Sequence, residues 1–118
     1  MKDGNIVVLI VEDDPSNQLL LKTAIELITK EVVILQVTTI KEASEIFHRD
    51  RNIIDKILMD GELPDGTSIN LVKEIRKTFN GDIIAFSGAI NDELMKSGCN
   101  KKLSKPFNMK DLKNLFTE

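Results

Sequence analysis

The sequence lacks the features that mark several special classes of protein. A single cysteine, Cys99, excludes an internal disulfide bond. The longest apolar run, from Ile6 to Val11, is far shorter than the roughly 20 residues that a membrane-spanning helix needs. The opening residues MKDGN lack the apolar core of a signal peptide. The net charge is −3, whereas a nucleic-acid binder typically carries an excess of positive charge. We therefore predict a soluble, cytoplasmic protein that binds neither membrane nor nucleic acid.

The size and composition favour a single domain. The chain has 118 residues, of which 42% are hydrophobic and 30% charged, and no linker or low-complexity segment divides residues 1–118. Cys99 lies in SGCN, which favours a small buried side chain without a chemical role. His48 has no second histidine or carboxylate at metal-ligand spacing, so we predict an ordinary residue near a helix end.

Short apolar runs alternate with helical patterns along the chain. Continuous apolar runs are typical of strands covered on both faces of a sheet. The predicted strands are Ile6–Val11, Val32–Val37, Lys56–Met59, Ile83–Phe86 and a weaker one around Leu103. Helix starts are predicted at Asp14-Pro15, at a capping box from Thr39 to Glu42, and after Asn108. Repeated strand–helix alternation predicts a doubly wound α/β domain with a five-stranded parallel sheet and five helices on both faces.

Polar residues follow the strands at the edge where open α/β sheets bind ligands. They are Glu12, Asp13 and Asp14 after the first strand, Asp60 after the third, Ser87 after the fourth and Lys105 after the fifth. The tripeptide Pro64-Asp65-Gly66 after Asp60 is typical of a turn. A turn does not explain the polar groups at the ends of three other strands.

This set of side chains indicates cation and phosphoryl chemistry. Two carboxylates about 5 Å apart repel each other by roughly 3 kcal/mol at an effective dielectric constant near 20. A cluster of them favours Mg²⁺, which typically uses one or two carboxylates and keeps its other positions for water and phosphate. Lys105 would neutralise further charge from the opposite side. A carboxylate between a metal ion and a lysine is suited to accept a phosphoryl group, so Asp60 is the candidate nucleophile.

Four motifs, in order and at matching spacings, resemble the receiver domains of two-component response regulators. VLIVEDDP is similar to the first strand with its acidic pair, ILMDGELPDG to the phosphoacceptor strand and loop, IIAFSG to the fourth strand and LSKPF to the fifth. The resemblance covers the chain from Ile6 to Phe116. It implies the receiver fold, whose parallel sheet has the strand order 2-1-3-4-5.

The resemblance also implies a phosphorylation switch rather than an enzyme with a separate substrate. A histidine kinase or histidine phosphotransfer domain would phosphorylate Asp60, while Ser87 and Lys105 hold phosphoryl oxygens. The implied Mg²⁺ ligands are Asp13, Asp60, the backbone carbonyl of Glu62 and, through water, Glu12. Ser87 would move inward and alter the face made by the fourth helix, fifth strand and fifth helix. That face would meet an unknown downstream protein.

Three positions depart from the usual receiver pattern. Ser68 stands where a glycine often follows the acceptor loop, and position 89, two after Ser87, is only alanine. Lys102 occupies the slot of an aromatic residue that normally follows the movement of Ser87. Burying an unpaired ammonium is expensive, so we expect Lys102 to stay outward with its stem along the sheet edge. The message would then pass through the loop after Ser87 and a surface rich in lysines: Lys101, Lys102, Lys110 and Lys113.

Three other functions fit the residues less well. A flavodoxin-like electron carrier needs a Gly- and Ser/Thr-rich phosphate loop after the first strand, where this chain has the acidic EDDPSN. A Mg²⁺-dependent aspartyl hydrolase normally needs a cap or substrate pocket, for which 118 residues leave no room. A receiver-like module that is never phosphorylated does not account for the intact set of Asp60, Ser87, Lys105 and the acidic pair.

The first helix begins beside the predicted site and is the expected docking surface for the phosphodonor. Asn17, Gln18 and Leu21 are expected to lie exposed near Asp60, although the spacing alone leaves burial of Leu21 equally open. Asn17 and the segment SGCNKKLSKP are also similar to receivers of hybrid kinases. The chain is therefore either a single-domain regulator or a part of a longer protein.

Overall fold

Five parallel strands form one sheet in the computed structural model, which describes residues 5–88 and 91–116. The strands are β1 (Ile6–Val11), β2 (Val32–Val37), β3 (Lys56–Met59), β4 (Asp82–Phe86) and β5 (Lys101–Leu103). The helices are α1 (Pro15–Ile28), α2 (Ile40–Asp50), α3 (Ile69–Arg76), α4 (Asn91–Ser97) and α5 (Met109–Phe116). A two-stranded antiparallel ribbon, Glu62–Leu63 with Gly66–Thr67, lies between β3 and α3. The strand order β2-β1-β3-β4-β5 confirms the predicted fold.

The sheet separates two layers of hydrophobic core. Successive side chains of a strand point to opposite faces, and β1 places Val7, Leu9 and Val11 in one layer but Val8 and Ile10 in the other. Buried residues of α2, α3 and α4 complete the first layer, and those of α1 and α5 complete the second. Because β1 is covered on both faces, its sequence is an unbroken apolar run.

Strand β2 is covered less completely than predicted, although Leu35 packs against one core layer and Val32 and Ile34 against the other. Val37 is the one buried residue among the six of this strand, and Val33 is 41% exposed. The strand lies at the edge of the sheet and pairs only with β1. The helices on the two faces of the sheet therefore cover the side chains of this strand only in part.

The predicted helix starts are confirmed, with one difference of detail. The side chains of Asp14 and Asn108 accept hydrogen bonds from backbone N–H groups in the first turns of α1 and α5. At α2, the Thr39 hydroxyl accepts from the N–H of Glu42 at 3.1 Å. The Glu42 carboxylate, however, accepts from the N–H of Thr38 at 3.0 Å. The return bond of the capping box is thus displaced by one residue, from Thr39 to Thr38.

Cys99 and His48 occupy the positions predicted for them: a buried side chain and a residue near a helix end. Cys99 is buried in the core, and burial raises the pKa of its thiol to about 11. His48 lies near the end of α2, with Nε2 at 2.8 Å from the Glu74 carboxylate on α3. In the described ranges, no helix has both the length and the apolar character needed to cross a membrane.

Candidate functional site

The strand ends bring three carboxylates together at one edge of the sheet. Glu12 and Asp13 follow β1, Asp60 follows β3, and each offers an oxygen within 4.8 Å of the others. The backbone N–H of Asp60 donates to the Val11 carbonyl at 2.9 Å, which continues the pairing of β3 with β1 by one residue. The position of Asp60 beside the acidic pair is therefore a direct result of strand register.

The three carboxylates differ in their surroundings. Glu12 and Asp60 are only 1% and 5% exposed, whereas Asp13 faces solvent. Burial raises the pKa of the Glu12 carboxyl, against the opposing effect of the nearby Lys105 ammonium. One Glu12 oxygen, Oε2, accepts the backbone N–H of Asp14 at 2.9 Å. The cluster thus offers two buried carboxylates and one that solvent reaches.

Lys105 lies between the two buried carboxylates. Its Nζ is 2.9 Å from Glu12 Oε1 and 3.1 Å from Asp60 Oδ2. The ammonium also lies over the ring of Phe86, 4.8 Å from its centroid, a favourable cation–π contact. Burial disfavours the charged form, but the hydrogen bonds to Glu12 and Asp60 outweigh it and raise the pKa of Lys105. The side chain is therefore charged and fixed on three sides.

The loop after Asp60 is anchored to the residue from which it starts. The N–H of Glu62 donates to Asp60 Oδ1 at 3.3 Å, and the Ser68 hydroxyl donates to the Asp60 backbone carbonyl at 2.7 Å. The N–H of Ser68 donates to the Gly61 carbonyl at 3.0 Å. Ser68 is fully buried, so this departure from the usual glycine adds a hydroxyl that closes the loop.

The same loop is also attached to α2 at its tip. The predicted turn at Pro64 and Asp65 joins the two strands of the ribbon. The Asp65 carboxylate accepts the N–H groups of Ile40 and Lys41 at 2.9 and 3.1 Å. These bonds, the one from Ile40 foremost, lower the pKa of Asp65. The loop from Gly61 to Ser68 therefore has a second attachment, to the N-terminus of α2.

Ser87 lies at the end of β4. Ser87 is buried directly after this strand, which pairs with β3. It therefore lies at the same sheet edge as Asp60. Ala89, noted above as a departure from the receiver pattern, lies outside the described residues.

The predicted lysine-rich surface is present in part. Lys102, Lys110 and Lys113 are exposed, as expected of Lys102 from its charge. Lys101, at the start of β5, is not fully exposed but half-buried, and its Nζ lies 2.9 Å from the Asp82 carboxylate. Lys101 is therefore held at the sheet by an ion pair, while the other three lysines lie on the exposed surface.

The predicted exposure of Gln18 is wrong, and Leu21, for which the spacing left burial equally open, is buried. Leu21 is fully buried and Gln18 is 8% exposed, while Asn17 is half-buried. Residues three and four apart share one side of a helix, and Gln18 precedes Leu21 by one turn. Gln18 therefore faces the sheet, where its amide donates to backbone carbonyls at the ends of β1 and β2.

Other residues of α1 form one wall of an apolar groove. Leu20 and Leu27 are exposed large hydrophobic residues on this wall, and Phe107 and Met109 lie on the opposite one. The groove has a volume of about 340 Å³. Pro106 and Phe107 directly follow Lys105, so one end of the groove is formed by the residues next to Lys105 in the chain.

Two residues of the site were not predicted from the sequence, and a third was given no role. Phe86 was counted only as the end of a strand, Gln18 as a surface residue, and Ser68 as a departure. The contact of Phe86 with Lys105 depends on the pairing of β4 with β5, which has no local sequence signal. Gln18 could have been found from its spacing, since it is in phase with the apolar residues Leu21 and Ile25.

Comparison with known proteins agrees with this geometry. A family model described as the response regulator receiver domain matches residues 8–117. Comparison with curated protein sequences gives no significant match.

Solved receiver domains from three organisms superpose on the chain. One, from a sensor histidine kinase of Pseudomonas aeruginosa PAO1 with a magnesium ion coordinated in its active-site cleft, has a TM-score of 0.82 and 28% identity, covering 95% of this chain and 94% of that one. A second, from Saccharomyces cerevisiae, was solved with a histidine phosphotransfer protein and has a TM-score of 0.77 and 26% identity, covering 92% and 83%. A third, from Clostridium thermocellum, shares the fold, with a TM-score of 0.83 and 24% identity, covering 93% and 90%.

Proposed function

The chain belongs to the family of response regulator receiver domains, and from this premise we propose that Asp60 accepts a phosphoryl group in a Mg²⁺-dependent reaction. The observation that carries the proposal is the cluster of three carboxylates within 4.8 Å, two of them paired with Lys105. Three negative charges and one positive charge leave a formal −2, which a divalent cation balances. Residues 1–118 would act as one receiver domain that catalyses only its own phosphorylation and dephosphorylation.

The donor set fits magnesium, which prefers hard oxygen ligands. The ligands that we propose are Asp13, Asp60 and the backbone carbonyl of Glu62 directly, and Glu12 through a water molecule. When bound, the ion would neutralise charge on the carboxylates and on the transferred phosphoryl group.

The residues of the chain have distinct roles in the proposed transfer. A carboxylate oxygen of Asp60 forms a bond to phosphorus while the phosphorus–nitrogen bond of a donor phosphohistidine breaks. The electron pair of that bond stays on the imidazole, which leaves neutral when its other nitrogen carries a proton. Lys105, already 3.1 Å from Asp60, would hold one phosphoryl oxygen and Ser87 another. The inward movement of Ser87 would change the face formed by α4, β5 and α5 toward a downstream protein.

A small phosphodonor such as acetyl phosphate tests the proposal without any knowledge of the natural donor. Intact mass spectrometry should show the gain of one phosphoryl group with Mg²⁺ and no gain with a chelator present. A receiver-like interaction module gains no mass under either condition, and a hydrolase or an electron carrier accumulates no such adduct. Absence of the adduct at saturating donor and Mg²⁺ would reject the proposed function.

We further propose that the partner, a histidine kinase or histidine phosphotransfer domain, docks along the groove between α1 and the segment after β5. The groove is apolar and begins beside Lys105, as a surface for a histidine-bearing amphipathic helix requires. The yeast receiver domain was solved in complex with a histidine phosphotransfer protein. This surface replaces the one predicted from Gln18 and Leu21, and it keeps Asn17 at its edge.

Two neighbouring leucines provide a matched test of this surface. Leu20 lines the groove and Leu19 does not, yet they are 57% and 65% exposed. Leu20→Asp should slow phosphoryl transfer from a kinase that labels the wild-type chain by about tenfold or more, because the loss of one buried apolar contact costs about 1.5–3 kcal/mol. Labelling by acetyl phosphate should not change. The control Leu19→Asp should transfer at the wild-type rate, and equal slowing of both variants would argue against the groove.

For Lys102 we propose that the side chain remains outward when Asp60 is phosphorylated. The residue is exposed on β5, and inward movement would bury its ammonium without a partner. Crystal structures with and without beryllofluoride, an analogue of the phosphoryl group, should show movement of Ser87 and none of Lys102. A Lys102 side chain that enters the space behind Ser87 would contradict this proposal.

A further inference from the structure

Gln18 is a polar residue that α1 buries against the ends of two strands. Its Nε2 donates to the Glu12 carbonyl at 2.8 Å and to the Val37 carbonyl at 2.9 Å, and lies 3.4 Å from the Ile10 carbonyl. The Glu12 carbonyl is part of the peptide bond that joins Glu12 to Asp13. The amide of Gln18 is therefore bonded directly to the backbone of the acidic pair.

The carbonyl oxygens alone determine the orientation of this amide. An amide nitrogen carries two hydrogens, and the two short bonds use both of them. The reversed amide would place Oε1 against these carbonyls, where it has no proton to offer. In its present orientation Oε1 is buried and has no hydrogen-bond partner among the described residues. No hydrogen bond to Oε1 therefore contributes to the choice between the two amide orientations.

The backbone of Glu12 is held at the end of β2 at two points. Its N–H donates directly to the Val37 carbonyl at 3.1 Å, and its carbonyl is linked to the same Val37 oxygen through the Gln18 amide. Gln18 itself is fixed by the helix, since its N–H donates to the Asp14 carbonyl at 2.9 Å. Gln36 on β2 donates through Nε2 to the Gln18 backbone carbonyl at 3.0 Å.

The direction of Asp13 depends on this backbone. Its side chain is exposed, and no hydrogen bond to its carboxylate occurs within the described part of the chain. Because no contact of its own fixes this carboxylate, the backbone alone sets the position from which the side chain extends toward the cluster. Movement of the Glu12–Asp13 peptide would therefore displace the Asp13 oxygen from the other two carboxylates.

We propose that Gln18 is a positioning residue for the metal site, which fixes the Glu12–Asp13 peptide so that Asp13 can bind Mg²⁺ together with Asp60. The inference rests on the proposed role of Asp13 as a metal ligand. Residues that orient metal ligands from behind usually contribute about 10–100-fold to metal affinity. Gln18 touches no metal ligand oxygen and acts only through the peptide.

The test is the Mg²⁺ affinity of Gln18→Met, measured by titration calorimetry on the folded protein. Methionine keeps the length and approximate volume of glutamine but has no N–H donors. The dissociation constant for Mg²⁺ should rise about tenfold, and the midpoint of thermal unfolding should fall. The matched control Gln36→Met removes the other side-chain bond between β2 and α1. It should lower thermal stability but change the dissociation constant by less than about twofold, because its bond does not involve the acidic pair.

Further variants separate the possible results. Should Gln18→Met not fold, Gln18→Asn keeps an amide that is one methylene too short to reach both carbonyls, and it should also weaken Mg²⁺ binding. A Gln18 variant that loses thermal stability but keeps wild-type Mg²⁺ affinity would overturn the inference. In that case a loss of affinity in Asp13→Ala would leave the proposed function intact. A wild-type chain that binds no Mg²⁺ would instead reject the metal site and the inference with it.

Discussion

Asp60→Asn is expected to gain no phosphoryl group from acetyl phosphate and Mg²⁺, while its fold is retained. The amide has almost the shape of the carboxylate but is not a nucleophile under these conditions. The substitution also removes one of three carboxylates from a cluster in which two such charges repel by roughly 3 kcal/mol at 5 Å. Lys105 keeps its partner Glu12 at 2.9 Å. Loss of labelling can therefore be assigned to the missing nucleophile, with circular dichroism confirming the fold.

The control for this experiment is Asp65→Asn, the same substitution in the same loop. Asp65 accepts the N–H groups of Ile40 and Lys41 on separate carboxylate oxygens. Asparagine keeps only one acceptor oxygen, so the variant weakens the attachment of the loop to α2 but leaves the three carboxylates of the cluster unchanged. This variant should be labelled as the wild-type chain is. Undiminished labelling of Asp60→Asn would show that another residue is the acceptor, and peptide mapping would identify it.

Asp13→Ala is expected to weaken Mg²⁺ binding by about a hundredfold, the loss of roughly 3 kcal/mol that removal of a direct charged ligand implies. Asp13 is the exposed member of the carboxylate cluster and has no ion pair there, unlike Glu12 and Asp60. Its oxygens are thus free of Lys105 and available to a cation that enters from solvent. Titration calorimetry of the variant measures the change.

Asp14→Ala is the matched control for Asp13→Ala. The Asp14 carboxylate caps α1 by accepting the N–H of Ser16 at 2.8 Å, and loss of such a cap costs about 1 kcal/mol of stability. Its own N–H, which donates to Glu12 Oε2, is backbone and remains in the variant. Mg²⁺ affinity should therefore change little. Equal losses of affinity in the two variants would mean that the metal-binding pair had been assigned one residue too early.

The fold was predictable where a run of apolar residues corresponds directly to a buried strand. β1 and β3 are covered on both faces, so their apolar runs gave their location, and the residues that follow them could be placed at one sheet edge. The N-terminal caps Asp14, Thr39 and Asn108 were readable because each satisfies free N–H groups within its own helix turn.

The remaining features depend on contacts that are distant in sequence. Val33 resembles a core residue by type, but its strand is at the sheet edge, and only the strand order reveals that. Gln18 is polar by type, yet it is buried because two carbonyls at the ends of different strands accept its amide. The contact of Phe86 with Lys105 likewise joins two strands. Residue type alone therefore misassigned Val33 and Gln18.

The two attachments of the loop from Gly61 to Ser68 limit how its length can change. Surface loops generally tolerate added residues, because each doubling of length costs only about 0.6 kcal/mol of closure entropy. Here an insertion before Asp65 would carry its carboxylate away from α2, and an insertion after it would carry the Ser68 hydroxyl away from the Asp60 carbonyl. The spacing on both sides of Asp65 is therefore fixed. Divergence in this loop should proceed by substitution rather than by insertion or deletion.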